Sequence, residues 1–167
     1  MSMTPELRDA VIAIARHAAA DILAVYEDAF EVEHKDDRSP LTAADLASHR
    51  RIVAGLQALT PEIPVLSEES QAIDIAQRRT WSRFWLVDPL DGTREFIKRN
   101  GEFTVNIALI EDGVATFCVI QQPVNGGLWH GTLGAGAFRR VEDVDEAIRT
   151  RKPASAPWRI AARRSHR

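Results

Sequence analysis

Apolar residues near the N-terminus recur at intervals of three and four residues, which is the spacing of the buried face of a helix. Thr4, Pro5 and Glu6 come directly before them, and these residue types are common in the first turn of a helix. The apolar positions are Leu7, Val11, Ile14, Ala18, Ile22 and Val25. The pattern therefore predicts an amphipathic first helix.

A polar stretch, EHKDDRSP, interrupts this pattern before a second helical segment begins. Thr42 followed three residues later by Asp45 is an arrangement that favours a helix start. The pair Thr60-Pro61 favours a helix end, because proline cannot continue the hydrogen-bond ladder. We therefore expect a second helix from Thr42 to about Leu59.

After this helix the pattern changes to short apolar runs and alternating positions, which are typical of strands. The segment IPVL predicts a short strand, and residues 73 to about 79 predict a short helix or an irregular loop. The segment RFWLVD predicts a buried strand that ends at Asp88. Residues 103–109 alternate between apolar and polar, and the Asp112-Gly113 pair is a strong signal for a hairpin turn. VATFCVIQQPV then supplies the partner strand.

The remaining segments predict further strands and one helical turn. GGLWHGTLGAGAF indicates a turn with one or two strands, residues 144–149 a helical turn, and WRIAA a last strand. Two helices packed on a largely antiparallel sheet form an α+β layer, and this is the fold class that we expect.

Composition narrows the class of protein. The chain has 167 residues, of which 45% are hydrophobic, so it can bury a core. Its formal net charge is only −3, which favours neither nucleic acid nor an anionic membrane as a partner. The single cysteine, Cys118, cannot form an internal disulfide, and we find no apolar segment typical of a signal peptide or a membrane span. We expect a cytoplasmic protein, with a peripheral position at the inner face of the membrane as the alternative.

The stretch WLVDPLDGTREF carries the most chemistry, because it ends an apolar run with Asp88 and Asp91 and continues with Gly92 and Thr93. Carboxylates at a strand end and in the turn after it form an oxygen-rich site that suits Mg²⁺. The glycine and the threonine add backbone N–H groups and a hydroxyl, which can hold a phosphate. The stretch therefore predicts a metal and phosphate site.

Two further acidic clusters can reach the same site. LSEES places Glu68 and Glu69 after another short strand, whereas Asp36, Asp37 and Asp45 lie around RSPLTAAD, before and within a predicted helix. Any one of these clusters alone is better explained as a solvated turn. Three clusters, each next to the end of a strand or the start of a helix, favour a shared site.

Together, the segments DDRSPLTAAD, LSEES and DPLDGT resemble the lithium-sensitive, magnesium-dependent phosphatase superfamily that includes inositol monophosphatase and fructose-1,6-bisphosphatase. The continuation REFIKRNGEFTVNIALI resembles one branch of it, the CysQ-type 3′(2′),5′-bisphosphate nucleotidases. The resemblance extends from about Leu7 to Phe138. It implies the N-terminal half of the layered α/β fold of the inositol monophosphatases.

The resemblance also implies a role for each residue of the motifs. Glu68, Asp88 and the Leu90 carbonyl would hold a first metal ion, and Asp91 would bridge to a second one. The cofactor would be Mg²⁺, with about two or three ions in the site.

The resemblance also implies which residues bind the phosphate and which orient the attacking water. Gly92 and Thr93 would bind the phosphate of the substrate, together with the metal ligand Asp91. Thr93 and Asp37 would orient the water, Glu68 would belong to the catalytic group, and Asp45 would support this polar network.

The reaction implied is removal of the 3′-phosphate from 3′-phosphoadenosine 5′-phosphate to give AMP, a step of sulfur assimilation and nucleotide recycling. The partner would be a small phosphorylated nucleotide. Two alternatives stay open: an inositol monophosphatase, and a truncated module that binds metal or nucleotide without turnover.

Members of this superfamily are usually longer, and their second domain carries a WDxAA motif that does not occur here. We therefore expect residues 1–150 to form the metal- and phosphate-binding domain and residues 151–167 to begin a truncated second domain. Residues 149–167 hold seven Arg or Lys and no acid, as in a remnant of a nucleotide-binding face or in a solvated tail. We expect a homodimer, and weak or no turnover by this chain alone.

Overall fold

The structure is a computed structural model that describes residues 3–28, 39–70 and 73–150. Two long helices, α1 (Pro5–Asp28) and α2 (Ser39–Leu59), pack against each other and against one face of a sheet. The Leu7 backbone N–H donates to Thr4 Oγ1 at 3.2 Å, which caps the start of α1. The first predicted helix is confirmed.

The second helix begins earlier than the sequence predicts. α2 already includes Ser39, so the predicted start at Thr42 is wrong. Pro40 fits the first turn because its φ is fixed near the helical value and its missing N–H would have no partner there. The end is as predicted: the N–H and the hydroxyl of Thr60 both donate to the Leu56 carbonyl, at 2.9 and 3.0 Å.

Within the described residues, one sheet has seven strands whose order in the sheet is their order in the chain. Two short helices occur in the connections between strands. The strands are β1 Val65–Ser67, β2 Arg83–Asp91, β3 Thr104–Glu111, β4 Val114–Gln121, β5 Leu128–Thr132, β6 Gly136–Val141 and β7 Val144–Ile148. The short helices are α3 (Ile75–Arg78) and α4 (Thr93–Ile97). Only the β1–β2 pair is parallel, so the expected largely antiparallel α+β layer is confirmed.

Two hairpins of this sheet have two-residue turns. Glu111 pairs with Val114, and Asp112 and Gly113 between them have positive φ values of 49° and 79°. Positive φ at both positions matches the twist of the flanking strands. The predicted hairpin is confirmed.

The second such hairpin overturns a prediction. Residues 144–149 do not form a helical turn, because β7 pairs with β6 from Val141↔Val144 onward. Glu142 and Asp143 form the turn with φ values of 46° and 64°. Without a glycine or asparagine this pair gives little sequence signal for such a turn. The predicted strand WRIAA and the second domain at 151–167 lie outside the described residues.

The sheet buries one face and leaves the other open. The face toward α1 and α2 is lined by Trp85, Val87, Ile107, Leu109, Phe117 and Val119, all of them buried. On the opposite face one row of side-by-side residues crosses all seven strands: Leu66, Leu86, Ala108, Cys118, Gly131, Ala137 and Ile148. Leu86 is 44% exposed on this open face. In the described ranges, no helix is both long enough and apolar enough to cross a membrane.

Candidate active site

Asp88 and Asp91 lie on the same strand, β2, although the sequence pattern ends this strand at Asp88. Residues three apart in a regular strand point to opposite faces. Here Asp88 pairs with Asn106 and Asp91 with Thr104, so three steps along β2 match two steps along β3. This bulge brings both carboxylates to the open face, where both line one pocket. Pro89 fits at this point, since a bulge tolerates a missing donor.

The turn after Asp91 depends on Gly92. Its φ is +101°, and a Cβ at this position would come within 3.1 Å of the Glu102 carbonyl oxygen and of Phe103 Cβ. Glycine is therefore needed both for the backbone conformation and for the space. It leads into Thr93, the exposed first residue of α4, directly beside Asp91.

Glu68 reaches this region from the neighbouring strand. Because β1 and β2 are parallel, their C-terminal ends meet at the same edge of the sheet. The Glu68 N–H donates to the Val87 carbonyl at 3.1 Å, which fixes Glu68 beside the strand that carries Asp88. Ser67 is held from the other side by His49, with 2.8 Å between the hydroxyl and Nδ1.

α2 adds a further acid, Asp45. The pKa of the Asp45 carboxyl is raised to about 7, mainly by burial. The negative charges of Glu69 and Asp88 also raise this pKa, because they oppose the ionisation of Asp45. Burial also raises the pKa of Asp88 to about 6, and Glu68 and Asp91 raise it further. These mutual effects indicate that acids from α2, from the end of β1 and from β2 share one small region.

A tether between the backbone of β2 and α2 supports this arrangement. The buried Ser48 hydroxyl donates to the Pro89 carbonyl at 2.8 Å. It ties the bulge to the helix that carries Asp45. The position of that acid relative to Asp88 is therefore set by the packing of α2 on the sheet.

The acids fit a hard cation. Asp45 Oδ1 and Asp88 Oδ1 are both buried, and neither has a hydrogen-bond partner among the described residues, which is costly for a carboxylate. Carboxylate and carbonyl oxygens are the ligands that Mg²⁺ prefers. No group of three or more His, Cys, Asp or Glu side chains in the described ranges already stands at coordinating distance. The side chains would therefore have to close around an ion.

Three of the predicted metal ligands, Glu68, Asp88 and Asp91, line one pocket. The predicted phosphate-binding residues Gly92 and Thr93 directly follow Asp91 in the chain. Leu90, whose carbonyl is a predicted metal ligand, lies between Asp88 and Asp91 in the chain and is buried. Asp36 and Asp37 lie outside the described residues.

Sequence reasoning missed Asn106. Its Nδ2 donates to Asp91 Oδ2 at 3.3 Å from the neighbouring strand β3. The available signal was a polar residue in the alternating pattern of residues 103–109, which by itself indicates only the less buried face of a strand. Its contact depends on the β2–β3 register, which the sequence pattern does not specify.

Comparison with known proteins agrees with this architecture. The profile described as Inositol monophosphatase family matches residues 4–165. The chain belongs to the inositol monophosphatase family. The 3′(2′),5′-bisphosphate nucleotidase CysQ of Salmonella typhimurium is 47% identical over 159 residues, which are 93% of this chain and 63% of that protein. CysQ of Escherichia coli O157:H7 is 46% identical over 160 residues, 95% of this chain and 63% of that protein.

A solved structure shows the same fold. The crystal structure of CysQ from Bacteroides thetaiotaomicron, a bacterial member of the inositol monophosphatase family, has a TM-score of 0.77 and 41% identity. The match covers 89% of this chain and 59% of that one. The chain thus spans about 63% of the length of the curated relatives it matches.

Proposed function

We propose that this chain carries the metal and phosphate site of a magnesium-dependent phosphatase that removes the 3′-phosphate of 3′-phosphoadenosine 5′-phosphate and releases AMP. The observation that carries the proposal is the convergence of Asp45, Glu68, Asp88 and Asp91. Asp45 and Asp88 each have a buried oxygen with no hydrogen-bond partner in the described part of the chain. The names of the CysQ relatives support the choice of a bisphosphate nucleotide as substrate.

In this proposal Glu68, Asp88, Asp91 and the Leu90 carbonyl hold about two or three Mg²⁺ ions. Bound Mg²⁺ would neutralise the charge of the phosphate and make a water a better nucleophile at neutral pH. The bulge in β2 supports these roles, because it aims both aspartates into one pocket.

The residues around the metal ligands would position the phosphate and the water. Gly92 and Thr93 would offer their backbone N–H groups, with no side chain at Gly92 in the way, and Thr93 would add a hydroxyl beside Asp91. Thr93 and Asp37 would orient the water, with Glu68 close to it. Asp45 would keep this network in place from α2, where a proton or a cation has to offset its burial.

The proposal extends to the whole protein. Residues 1–150 would form the metal- and phosphate-binding domain, and residues 151–167 would begin a second one. We also propose a cytoplasmic homodimer that acts on a small nucleotide and not on nucleic acid.

Phosphate release tests the proposed function. We would compare the 167-residue chain with a version extended by the C-terminal part of Salmonella typhimurium CysQ that this chain does not match. With Mg²⁺, we expect the extended version to release phosphate from 3′-phosphoadenosine 5′-phosphate much faster than from inositol phosphate. Asp88→Asn should lower the rate at least about a hundredfold, as expected for loss of transition-state charge stabilisation.

Two results would count against the proposal. A preference for inositol phosphate would support the alternative substrate. Activity that survives both Asp88→Asn and Thr93→Val in the extended version would show that the site lies elsewhere.

A further inference from the structure

Two consecutive residues of α2, Ser48 and His49, each hold one of the strand ends that carry the candidate metal ligands. The Ser48 hydroxyl donates to the Pro89 carbonyl, inside the bulge of β2, at 2.8 Å. His49 Nδ1 and the hydroxyl of Ser67, the last residue of β1, lie 2.8 Å apart. Since β1 and β2 are neighbours in the sheet, α2 is hydrogen-bonded to both strand ends at one point along its length.

Ser67 is the first residue of the turn that carries Glu68. The Ser70 N–H donates to the Ser67 carbonyl at 3.0 Å, and Glu68 and Glu69 are the two central residues of this four-residue turn. Ser67 is only 4% exposed, and a buried hydroxyl needs a hydrogen-bond partner. His49 supplies this partner from α2. Through Ser67, His49 therefore anchors the turn to which Glu68 belongs.

This anchor opposes the repulsion between the turn and the acids around it. Glu68 is one of the causes that raise the pKa of Asp88 on β2. Glu69 is one of the causes that raise the pKa of Asp45 on α2, so the turn lies close to carboxylates of both elements. Without a cation, these like charges push the turn away from its neighbours. The hydrogen bond between Ser67 and α2 limits this movement.

We infer that His49 is a positioning residue of the metal site, because it holds Ser67 and thereby keeps Glu68 beside β2. This inference rests on the proposed function for the presence of the ion. His49 is not itself a metal ligand: it fixes the backbone from which one ligand projects, as the groups that orient ligands do in other metal sites. A turn that is held in place before the ion binds loses less freedom on binding, so the affinity for the ion is higher.

The Kd for Mg²⁺, measured by calorimetry on the 167-residue chain, tests this role. We expect His49→Leu and Ser67→Ala each to weaken binding about tenfold, the lower end of the roughly 10–100-fold loss that follows removal of a group that orients a metal ligand. Because both changes remove the same hydrogen bond, the double variant should lose no more than either single one. His49→Asn should recover most of the affinity, because its amide lies as many bonds from the backbone as Nδ1. Ser67→Ala, the smaller change, decides the test if His49→Leu does not fold.

Thr60→Val is the matched control for a general loss of packing. It removes another buried hydrogen bond between the end of α2 and β2, the one that Trp85 Nε1 donates to Thr60 Oγ1 at 2.9 Å. Thr60 lies about three helical turns beyond His49, away from the acids. We expect this variant to lower the melting temperature of the metal-free chain by a few degrees and to leave the Kd for Mg²⁺ unchanged.

The outcomes separate this inference from the proposed function. The inference is overturned if the unmodified chain binds no Mg²⁺, or if the Kd is unchanged in His49→Leu and Ser67→Ala. Additive losses in the double variant, or an equal loss in Thr60→Val, also overturn it. If Mg²⁺-dependent phosphate release by the extended version persists in any of these cases, the proposed function stands. A Kd that depends on His49, in a chain whose extended version releases no phosphate, supports the positioning role and contradicts the hydrolysis.

Discussion

Asp45 and Asp88 are half-buried acids that repel one another, and their raised pKa values follow from burial first and from neighbouring carboxylates second. An acid that is protonated more readily in the folded chain stabilises the fold at low pH. This contribution is lost as the pH rises through the folded-state pKa. A cation bound between the carboxylates would offset their mutual repulsion, and the chain would then not lose stability as the pH rises.

We therefore predict that the metal-free chain becomes less stable as the pH rises from about 4 to about 7, the window between the ordinary and the raised pKa values. Urea unfolding at several pH values in the presence of a chelator measures this. The double variant Asp45→Asn, Asp88→Asn should lack most of the slope. A slope that is the same in both proteins would contradict the electrostatic account of the site.

Asp145 lies far from this site and shows the opposite behaviour. Two hydrogen bonds from Arg140, at 2.6 and 2.9 Å, are the main cause that holds its pKa well below the usual range, and His130 Nε2 lies 2.9 Å away. Arg140 also contacts Asp9 at 2.9 Å, so this group joins β5, β6 and β7 to α1. Its stabilisation is present above the ordinary pKa of an aspartate and is lost as the pH falls.

We predict that Asp145→Asn lowers the free energy of unfolding at pH 7 by about 1–2 kcal/mol, because it leaves Arg140 and His130 with a weaker partner. Asp143→Asn is the matched control. It removes one exposed ion pair with Arg16 and should change stability by less than about 0.5 kcal/mol. Chemical denaturation of both variants checks the difference, and equal effects would argue against a structural role for the Asp145 cluster.

At the scale of elements, the site depends on a strand with one extra residue and on the turn after it. The bulge between Asp88 and Asp91 sets the direction of both carboxylates, and Gly92 allows the chain to turn into α4. A change to the turn should therefore act on stability and on the site together.

We predict that Gly92→Ala destabilises the chain by about 2–3 kcal/mol, since alanine is strained at this φ and its Cβ would press on Glu102 and Phe103. Gly113→Ala is a control for strain alone: its φ is +79°, but a Cβ there meets no atom of the described residues within 4 Å. This variant should cost about 1 kcal/mol. Equal costs in denaturant unfolding would show that the close approach at Gly92 is unimportant.

The elements that the sequence predicts correctly are those with strong local signals. The first helix has a long apolar period, and Asp112-Gly113 has the residue types that a two-residue hairpin turn needs. β7 could not be predicted in the same way, because Glu142 and Asp143 adopt positive φ without glycine. The predicted start of α2 is wrong because Thr42 and Asp45 have the spacing of a cap, whereas the helix already begins at Ser39 with Pro40 in its first turn.

At the scale of the whole molecule, two helices cover one face of the sheet, and the candidate site opens on the other. The motifs predicted that Asp88, Asp91 and Glu68 lie together, since in the sequence pattern each stands at the end of an apolar strand or directly after one. They did not predict the bulge or the contact of Asn106 with Asp91. These features arise from register and packing between elements that are far apart in sequence.

The measurement that tests the central claim most directly is the binding of Mg²⁺ to the 167-residue chain. The account predicts a saturable calorimetric signal and a melting temperature that rises by a few degrees at about tenfold excess over Kd, a gain of about 1.4 kcal/mol. Asp88→Asn should abolish both, whereas Asp112→Asn, in the exposed hairpin turn, should leave both unchanged. Absence of a Mg²⁺-dependent signal in the unmodified chain, or its persistence in Asp88→Asn, would contradict the assignment of these acids as a metal site.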